Sequence, residues 1–169
     1  PESITSIGDN IFAYSNKIEQ IIIPASVKRI GNSAFRGCSG LKHLLIPTFV
    51  TSIGDWAFAD CSGLIDCAIP ASVTSIGVSA FADCSALTEL TIPSSVINLG
   101  EQAFLNCSRL TSVVLPSSFT RIERELFLGC YNLKSIVIPP SVVTIRDRAF
   151  SDCQSLESVI IPSSVTSIG

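Results

Sequence analysis

Six cysteines are the residues with the most evident chemical potential in this chain, because they recur every 23 residues. They are Cys38, Cys61, Cys84, Cys107, Cys130 and Cys153, and Ser15 occupies the corresponding first slot. If the repeats stack with their strands parallel and about 4.8 Å apart, the Cα atoms of neighbouring cysteines lie within the distance range of a disulfide. Their side chains, however, point in the same direction, which holds the Cβ atoms too far apart for a disulfide without strain. We therefore expect free, buried thiols that pack as small hydrophobic side chains.

The rest of the chain lacks the residue sets that metal binding or catalysis requires. His43 is the only histidine, and no Cys-x₂-Cys pair is present, so a zinc site is not expected. The serines of the Pro-x-Ser-Val segments have no neighbouring base and are suited to hydrogen-bond free backbone groups after a strand. No phosphate-binding glycine loop, catalytic triad or carboxylate pair occurs. We expect neither an enzyme nor a cofactor.

Two further positions leave alternatives open. Trp56 occupies a turn slot that is polar in most other units, where it either packs along the outer turn or is an exposed contact residue. Asn106-Cys107-Ser108 matches the glycosylation sequon, but its central cysteine belongs to the buried column. Cys67 lies outside that column, in a slot that otherwise holds Leu, Ile or Val, and is expected in the core.

Composition excludes several classes of partner. The 169 residues carry a net charge of −3, so the chain has no basic footprint for nucleic acid or anionic lipid. Hydrophobic residues make up 47% of the sequence, which argues against disorder. No apolar run approaches the roughly 18 residues of a membrane span, so we expect no direct membrane insertion. The start, Pro1 to Ile4, has neither an initiating Met nor the features of a signal peptide, and we interpret the chain as part of a longer protein.

The cysteine interval belongs to a repeat that covers the whole chain. Each unit reads C-x-x-L-x-x-(L/I/V)-x-(I/L)-P-x-S-V-x-x-I-G-x-x-A-F-x-x. Seven full units run from Pro1 to Ile161, and an incomplete eighth ends at Gly169. We expect residues 1–169 to form a single domain, without the caps that a solenoid needs for solubility. The prolines of the repeat are Pro1, Pro24, Pro47, Pro70, Pro93, Pro116, Pro139 and Pro162, and the phenylalanines are Phe12, Phe35, Phe58, Phe81, Phe104, Phe127 and Phe150.

Each unit predicts two short extended segments joined by turns. In the pattern Leu41-x-x-Leu44-x-Ile46, the last two apolar positions have a period of two, which is typical of a half-buried strand, and Pro47 ends its pairing because it has no N–H. Residues 50–53 predict a second extended segment on the opposite side of the coil. Gly54 is interpreted as permitting a turn conformation that other residues resist, and residues 55–58 as a turn that buries an Ala-Phe pair.

Departures from the repeat concentrate in two units. Glu123 and Arg146 replace the glycine, and Phe119 replaces the valine. The turns that follow should have negative φ or carry strain. We therefore expect a local irregularity at Glu123–Glu125 and Arg146–Arg148.

The repeat unit closely resembles the BspA-like class of leucine-rich repeats over the entire chain. Cys61-Ser62-Gly63-Leu64 through Ala80-Phe81 is a near-ideal copy, and so is the next unit, from Cys84 to Phe104. The resemblance implies a repeat solenoid: a right-handed leucine-rich-repeat arc with a concave parallel β-sheet and short convex strands and turns. It also implies a surface or secreted protein that adheres to a protein partner, such as a host matrix or cell-surface protein.

On the predicted concave strand, two columns of side chains point outward. Within the first column, Asp66 and Glu89 are adjacent acidic positions that either prefer a basic patch or are simply solvated. The second column is mostly apolar. It is either an interaction ribbon or a consequence of the strand preference of β-branched residues. The first column is Gln20, His43, Asp66, Glu89, Ser112, Ser135 and Ser158, and the second is Ile22, Leu45, Ala68, Thr91, Val114, Val137 and Ile160.

Three functional hypotheses follow. The first is an adhesion module at a cell surface or outside the cell that binds a protein through these fourteen residues. The second is an intracellular scaffold or regulatory array, which free cysteines favour slightly. The third is a rigid spacer that presents another domain. The oligomeric state and the identity of the partner do not follow from the residues.

Overall fold

The repeat folds as a solenoid of parallel strands. The computed structural model describes residues 3–169, so Pro1 of the proline column lies outside the described residues. Across this range the chain forms fourteen short strands joined by turns, with no helix. Six strands have three residues: β3 (His43–Leu45), β5 (Asp66–Ala68), β7 (Glu89–Thr91), β9 (Ser112–Val114), β11 (Ser135–Val137) and β13 (Ser158–Ile160). Eight have two residues: β1 (Ser6–Ile7), β2 (Arg29–Ile30), β4 (Ser52–Ile53), β6 (Ser75–Ile76), β8 (Asn98–Leu99), β10 (Arg121–Ile122), β12 (Thr144–Ile145) and β14 (Ser167–Ile168).

The strand register confirms that one repeat makes one turn of the solenoid. His43 pairs with Asp66 in the longer strands, and Ser52 pairs with Ser75 in the shorter strands. In both cases the partners are 23 residues apart and the strands are parallel. We call the surface formed by the three-residue strands the long-strand face, which corresponds to the predicted concave sheet, and the opposite surface the short-strand face.

A column of phenylalanines forms the centre of the core. Consecutive rings from Phe12 to Phe150 stack with centroids 5.3–5.9 Å apart and ring planes inclined by 3–17°. Phe35 to Phe127, the five inner rings, are fully buried. Because each ring contacts the rings of both neighbouring turns, the core continues along the solenoid instead of closing within a unit.

The glycines after β2, β4, β6 and β8 allow close packing and do not have an unusual φ, which corrects the interpretation of Gly54. Left-handed φ occurs elsewhere in that unit, at Trp56 (52°) and Asp60 (60°). A Cβ atom at Gly54 would lie 2.5 Å from Asn32 Oδ1 and 2.7 Å from the Gly31 carbonyl carbon. The glycine therefore lets one turn approach the backbone of the turn before it.

The short-strand face is interrupted between β8 and β10, which we call the seam. Strands β1, β2, β4, β6 and β8 form one sheet, and β10, β12 and β14 form another. At intact positions, the Val143 N–H donates to the Thr120 carbonyl at 2.7 Å and the Arg146 N–H to the Ile122 carbonyl at 3.0 Å. Among residues 3–169, the equivalent bonds from Thr120 and Glu123 to the preceding turn are missing. The predicted irregularity is therefore confirmed at Glu123 and wrong at Arg146, where the ladder is intact.

Charged side chains bridge the seam. The Arg146 guanidinium donates to Glu101 Oε1 at 2.9 Å and to Glu123 Oε2 at 3.2 Å, and Arg121 also contacts Glu123. A second buried carboxylate, Glu125, accepts hydrogen bonds from Gln102, Arg124 and Arg148. The Gln102 hydrogen bond, helped by the two arginines, lowers the pKa of Glu125 below its usual value. Both glutamates are thus buried with charge partners, as buried charges require.

Candidate functional site

The fourteen predicted contact residues all lie exposed on one surface of the solenoid. In β3, β5, β7, β9 and β11 the middle residue is buried while the first and third are exposed. The buried middle residues, such as Leu44 and Leu90, hold each strand against the core and so orient its neighbours outward. Whether these residues bind a partner remains a prediction; their position on the long-strand face is an observation.

The second column is a continuous apolar ribbon. Ile22 is 85% exposed, Leu45 76%, Val137 80% and Ile160 82%. Exposing apolar side chains of this size to water is energetically unfavourable. Contiguous exposed apolar surface therefore often marks an interaction site. Its middle is less apolar, with the smaller Ala68 and the hydroxyl of Thr91 both exposed, and the strands that carry these two residues, β5 and β7, belong to separate sheets.

The first column changes character along the solenoid. His43 Nδ1 lies 2.6 Å from Asp66 Oδ2, so these two neighbours form a pair on the surface. Glu89 is exposed and, within the described part of the chain, has no cationic side chain within 4 Å. The next three positions are the exposed Ser112, Ser135 and Ser158. The first column therefore carries two adjacent acidic residues in its middle and neutral hydroxyls at its last three positions.

The strand predicted in the first unit does not form, which is a correction to the sequence-based expectation. Gln20 and Ile22 are exposed, but residues 18–23 have no strand structure. The Lys42 N–H donates to the Glu19 carbonyl at 3.4 Å, and no ladder pairs this segment with β3 among the described residues. Where a closed ladder was expected, a cavity of about 660 Å³ opens instead.

This cavity has mostly apolar walls and was not predicted. It lies between residues 19–23 and β3, and its apolar lining includes Ile21, Ile22, Leu45 and Ile46. Lys42, Glu19 and His43 add polar groups at its margin. The strand positions of the first unit, Ile18, Ile21 and Ile23, keep the apolar pattern of the repeat, so they gave little signal for the cavity.

The cysteines are unpaired and buried, apart from the half-buried Cys153, in agreement with the packing role predicted for them. Each thiol of the column also donates a hydrogen bond to a phenylalanine carbonyl, as Cys84 does to Phe58 at 3.2 Å. Burial raises the pKa of Cys61 and of Cys107 to about 12. A thiol that stays protonated is a poor nucleophile and metal ligand.

The structure also gives the exposure of Trp56 and the hydrogen bonds of the sequon asparagine and of the Pro-x-Ser-Val serines. Trp56 is 41% exposed, which favours the exposed alternative. Asn106 Nδ2 donates to Asp83 Oδ1 at 3.0 Å, so the side chain of the sequon asparagine is already engaged. Ser72 and Ser95 donate to the Val50 and Val73 carbonyls at 2.6 and 2.7 Å, as expected for serines that satisfy backbone groups.

Residues 3–169 contain no cluster of three or more His, Cys, Asp or Glu side chains arranged to hold a metal ion. The same residues include no helix of sufficient length and apolar character to span a bilayer.

Comparison with protein families gives a match that spans almost the whole chain. The model described as the BspA type leucine-rich repeat region matches in six copies, over residues 5–134 and 63–169. No curated protein matches the chain.

Solved structures from bacteria have the same fold. A leucine-rich repeat protein of Bacteroides ovatus is 39% identical over 98% of this chain and 43% of its own, with a TM-score of 0.95. The leucine-rich repeat protein of T. pallidum is 30% identical over 92% of this chain and 72% of its own, with a TM-score of 0.86. A leucine-rich cell surface protein of Faecalibacterium prausnitzii is 32% identical over 98% of this chain and 53% of its own, with a TM-score of 0.62. The chain thus spans less than half the length of the B. ovatus protein.

Proposed function

Because the chain belongs to the BspA-type leucine-rich repeat family, we propose that its long-strand face binds a protein partner, at a cell surface or after secretion. The apolar ribbon is the observation that carries this proposal. Four of its members are more than three-quarters exposed, on a scaffold whose other large side chains are mostly buried. Protein interfaces combine an apolar centre with a polar rim, and the ribbon with its adjoining polar column offers that combination.

Membership of this family also supports protein binding. Leucine-rich repeat proteins, including cell-surface ones, commonly mediate protein interactions. The F. prausnitzii relative is a cell surface protein, which supports an external location for the present chain. Adhesion to a matrix or host-cell protein is the form of binding that we propose.

The rigidity of the scaffold also favours binding. Successive rungs of a parallel sheet are about 4.8 Å apart, so the seven positions of each column, with six intervals between them, extend for roughly 29 Å by the same spacing. The stacked core fixes the outward side chains before any partner arrives. A preorganised surface loses less conformational entropy on association than a flexible one.

A binding screen against immobilised, purified matrix proteins and against host cells tests the proposal. The combined variant Leu45→Glu, Val114→Glu and Val137→Glu should bind at least about tenfold more weakly than the unmodified chain, since charges replace apolar contacts. The matched control is Ile97→Glu with Val143→Glu, two exposed apolar residues elsewhere on the solenoid. Equal losses in both variants, or an unaffected long-strand variant, would contradict the proposal.

A further inference from the structure

We propose that the cavity between residues 19–23 and β3 accepts the apolar anchor of an extended peptide segment, and that a basic residue of the same segment reaches the acidic positions Asp66 and Glu89. The inference rests on the proposed protein-binding function and names the chemistry of the partner. Its site is smaller than the long-strand face and lies at one end of it.

The walls of the cavity are suited to an apolar side chain. Ile22 and Leu45 are exposed on its margin, while the buried Ile23 and Ile46 contribute to its floor. Its volume of about 660 Å³ lies within the roughly 300–1,000 Å³ range of ligand-binding clefts. An anchor that entered would release water from apolar surface, which is favourable.

The backbone around the cavity favours a peptide over another apolar ligand. In the adjacent interface, β3 and β5 pair along all three residues. On its other side β3 has no ladder partner in the described structure, although the Lys42 N–H donates to the Glu19 carbonyl. A peptide main chain that crosses this open edge towards β7 carries both donors and acceptors, which a purely apolar ligand lacks.

Charge complementarity selects a basic residue in the segment. Asp66 and Glu89 follow Leu45 on the next two rungs of the face, and the Glu89 carboxylate has no cationic neighbour within 4 Å among residues 3–169. Two rungs correspond to about 9.6 Å. Leu45 and Glu89 also differ by two residues along the strand direction, about 6.6 Å, so their separation is roughly 12 Å. A chain that runs across the strands advances roughly 3.3 Å per residue, so the third residue after the anchor reaches Glu89 with the added length of its own Lys or Arg side chain. The expected pattern is apolar-x-x-Lys or apolar-x-x-Arg.

A capped, fluorescently labelled peptide, Ser-Trp-Thr-Thr-Arg-Ser, is the probe. Fluorescence anisotropy measures its affinity for the unmodified chain, and amide chemical-shift changes locate it. We expect saturable binding, with the largest shifts at residues 19–23 and 42–47. Replacing the peptide's tryptophan by serine, or its arginine by glutamate, should weaken binding at least about tenfold. The absence of saturable binding at millimolar peptide would overturn the inference.

Variants of the chain separate this site from the rest of the face. Leu45→Arg places a charge at the cavity margin and should weaken peptide binding about tenfold, and Glu89→Lys should weaken it several-fold. Val137→Arg is the matched control, because Val137 belongs to the same column and is similarly exposed, but does not line the cavity. It should leave peptide affinity unchanged.

Each remaining outcome has a distinct meaning. Unchanged affinity in Leu45→Arg overturns the cavity site. Equal losses in Leu45→Arg and Val137→Arg would mean that the peptide lies along the ribbon, which overturns the inference but supports the proposed function. A third outcome is that the unmodified chain does not bind the peptide, while the combined variant Leu45→Glu, Val114→Glu and Val137→Glu loses binding to a protein partner. This outcome refutes the cavity inference and leaves the proposed function supported.

Discussion

Each cysteine of the column fills a space in the core and also ties two turns together. Its thiol donates to the carbonyl of a phenylalanine 26 residues earlier, as Cys61 does to Phe35 and Cys107 to Phe81, at 3.2 and 3.3 Å. The repeat predicted burial, because cysteine recurs among apolar residues. It did not predict the hydrogen bond, since the acceptor belongs to another turn whose position is set only by stacking.

The raised thiol pKa values make the folded state sensitive to alkaline pH. Burial raises the pKa of Cys61 and Cys107 from 9.0 to about 12. Above pH 9 the unfolded chain releases these protons while the folded chain retains them, so the free energy of unfolding falls as pH rises from 9 towards 12. Each such thiol contributes a slope of about 1.4 kcal/mol per pH unit. Urea unfolding at pH 8, 9, 10 and 11 measures it.

The double variant Cys61→Ala, Cys107→Ala is the control for this pH dependence, because tyrosines and lysines also titrate in the same range. Its stability should fall less steeply above pH 9 than that of the unmodified chain. Identical slopes would show that these two thiols do not determine the alkaline sensitivity.

The candidate site shows where residue-level prediction ends. Alternation along three residues was enough to place His43 and Leu45 outward and Leu44 inward, because a strand has a period of two. The cavity beside them was not predictable. It depends on whether residues 18–23 pair with β3, and their apolar pattern, Ile18 with Ile21 and Ile23, is the same as in units that do pair.

At the scale of elements, the seam has an identifiable local cause. Glu123 and Arg146 both replace glycine. The strand before Glu123, β10, does not pair with β8 of the preceding turn, whereas the strand before Arg146, β12, pairs with β10. The two units differ in the valine slot, with Phe119 against Val142, and in the alanine slot, with Leu126 against Ala149. We infer that the added volume of the phenyl ring, next to a side chain at a position of close backbone approach, keeps β10 away from β8.

Restoring the repeat at both positions should close the seam. In the double variant Phe119→Val, Glu123→Gly, we expect the Thr120 amide to pair with the preceding turn and its hydrogen exchange to slow at least about tenfold, because a ladder hydrogen bond protects an amide. The Val143 amide, which is already bonded to Thr120, is the internal control and should not change. Fast exchange at residue 120 in the variant would show that the seam has another cause.

For the whole molecule, stability should depend on how many neighbours a unit has. Phe81 is fully buried and stacks on a ring at either side, whereas Phe150 is half-buried and stacks on one. Phe81→Ala should therefore cost about 3–5 kcal/mol of unfolding free energy, and Phe150→Ala clearly less. Urea denaturation of the two variants compares them directly, and equal losses would contradict a stability that sums over neighbouring turns.

The seam also determines how the solenoid would respond to mechanical tension. Strand hydrogen bonds run from turn to turn, along the axis of the stack, so a force applied along that axis loads each interface in series. The interface between β8 and β10 has lost two backbone bonds and is crossed instead by the Arg146–Glu101 ion pair. Under load the short-strand face would open first at this interface, dividing its eight strands into a group of five and a group of three.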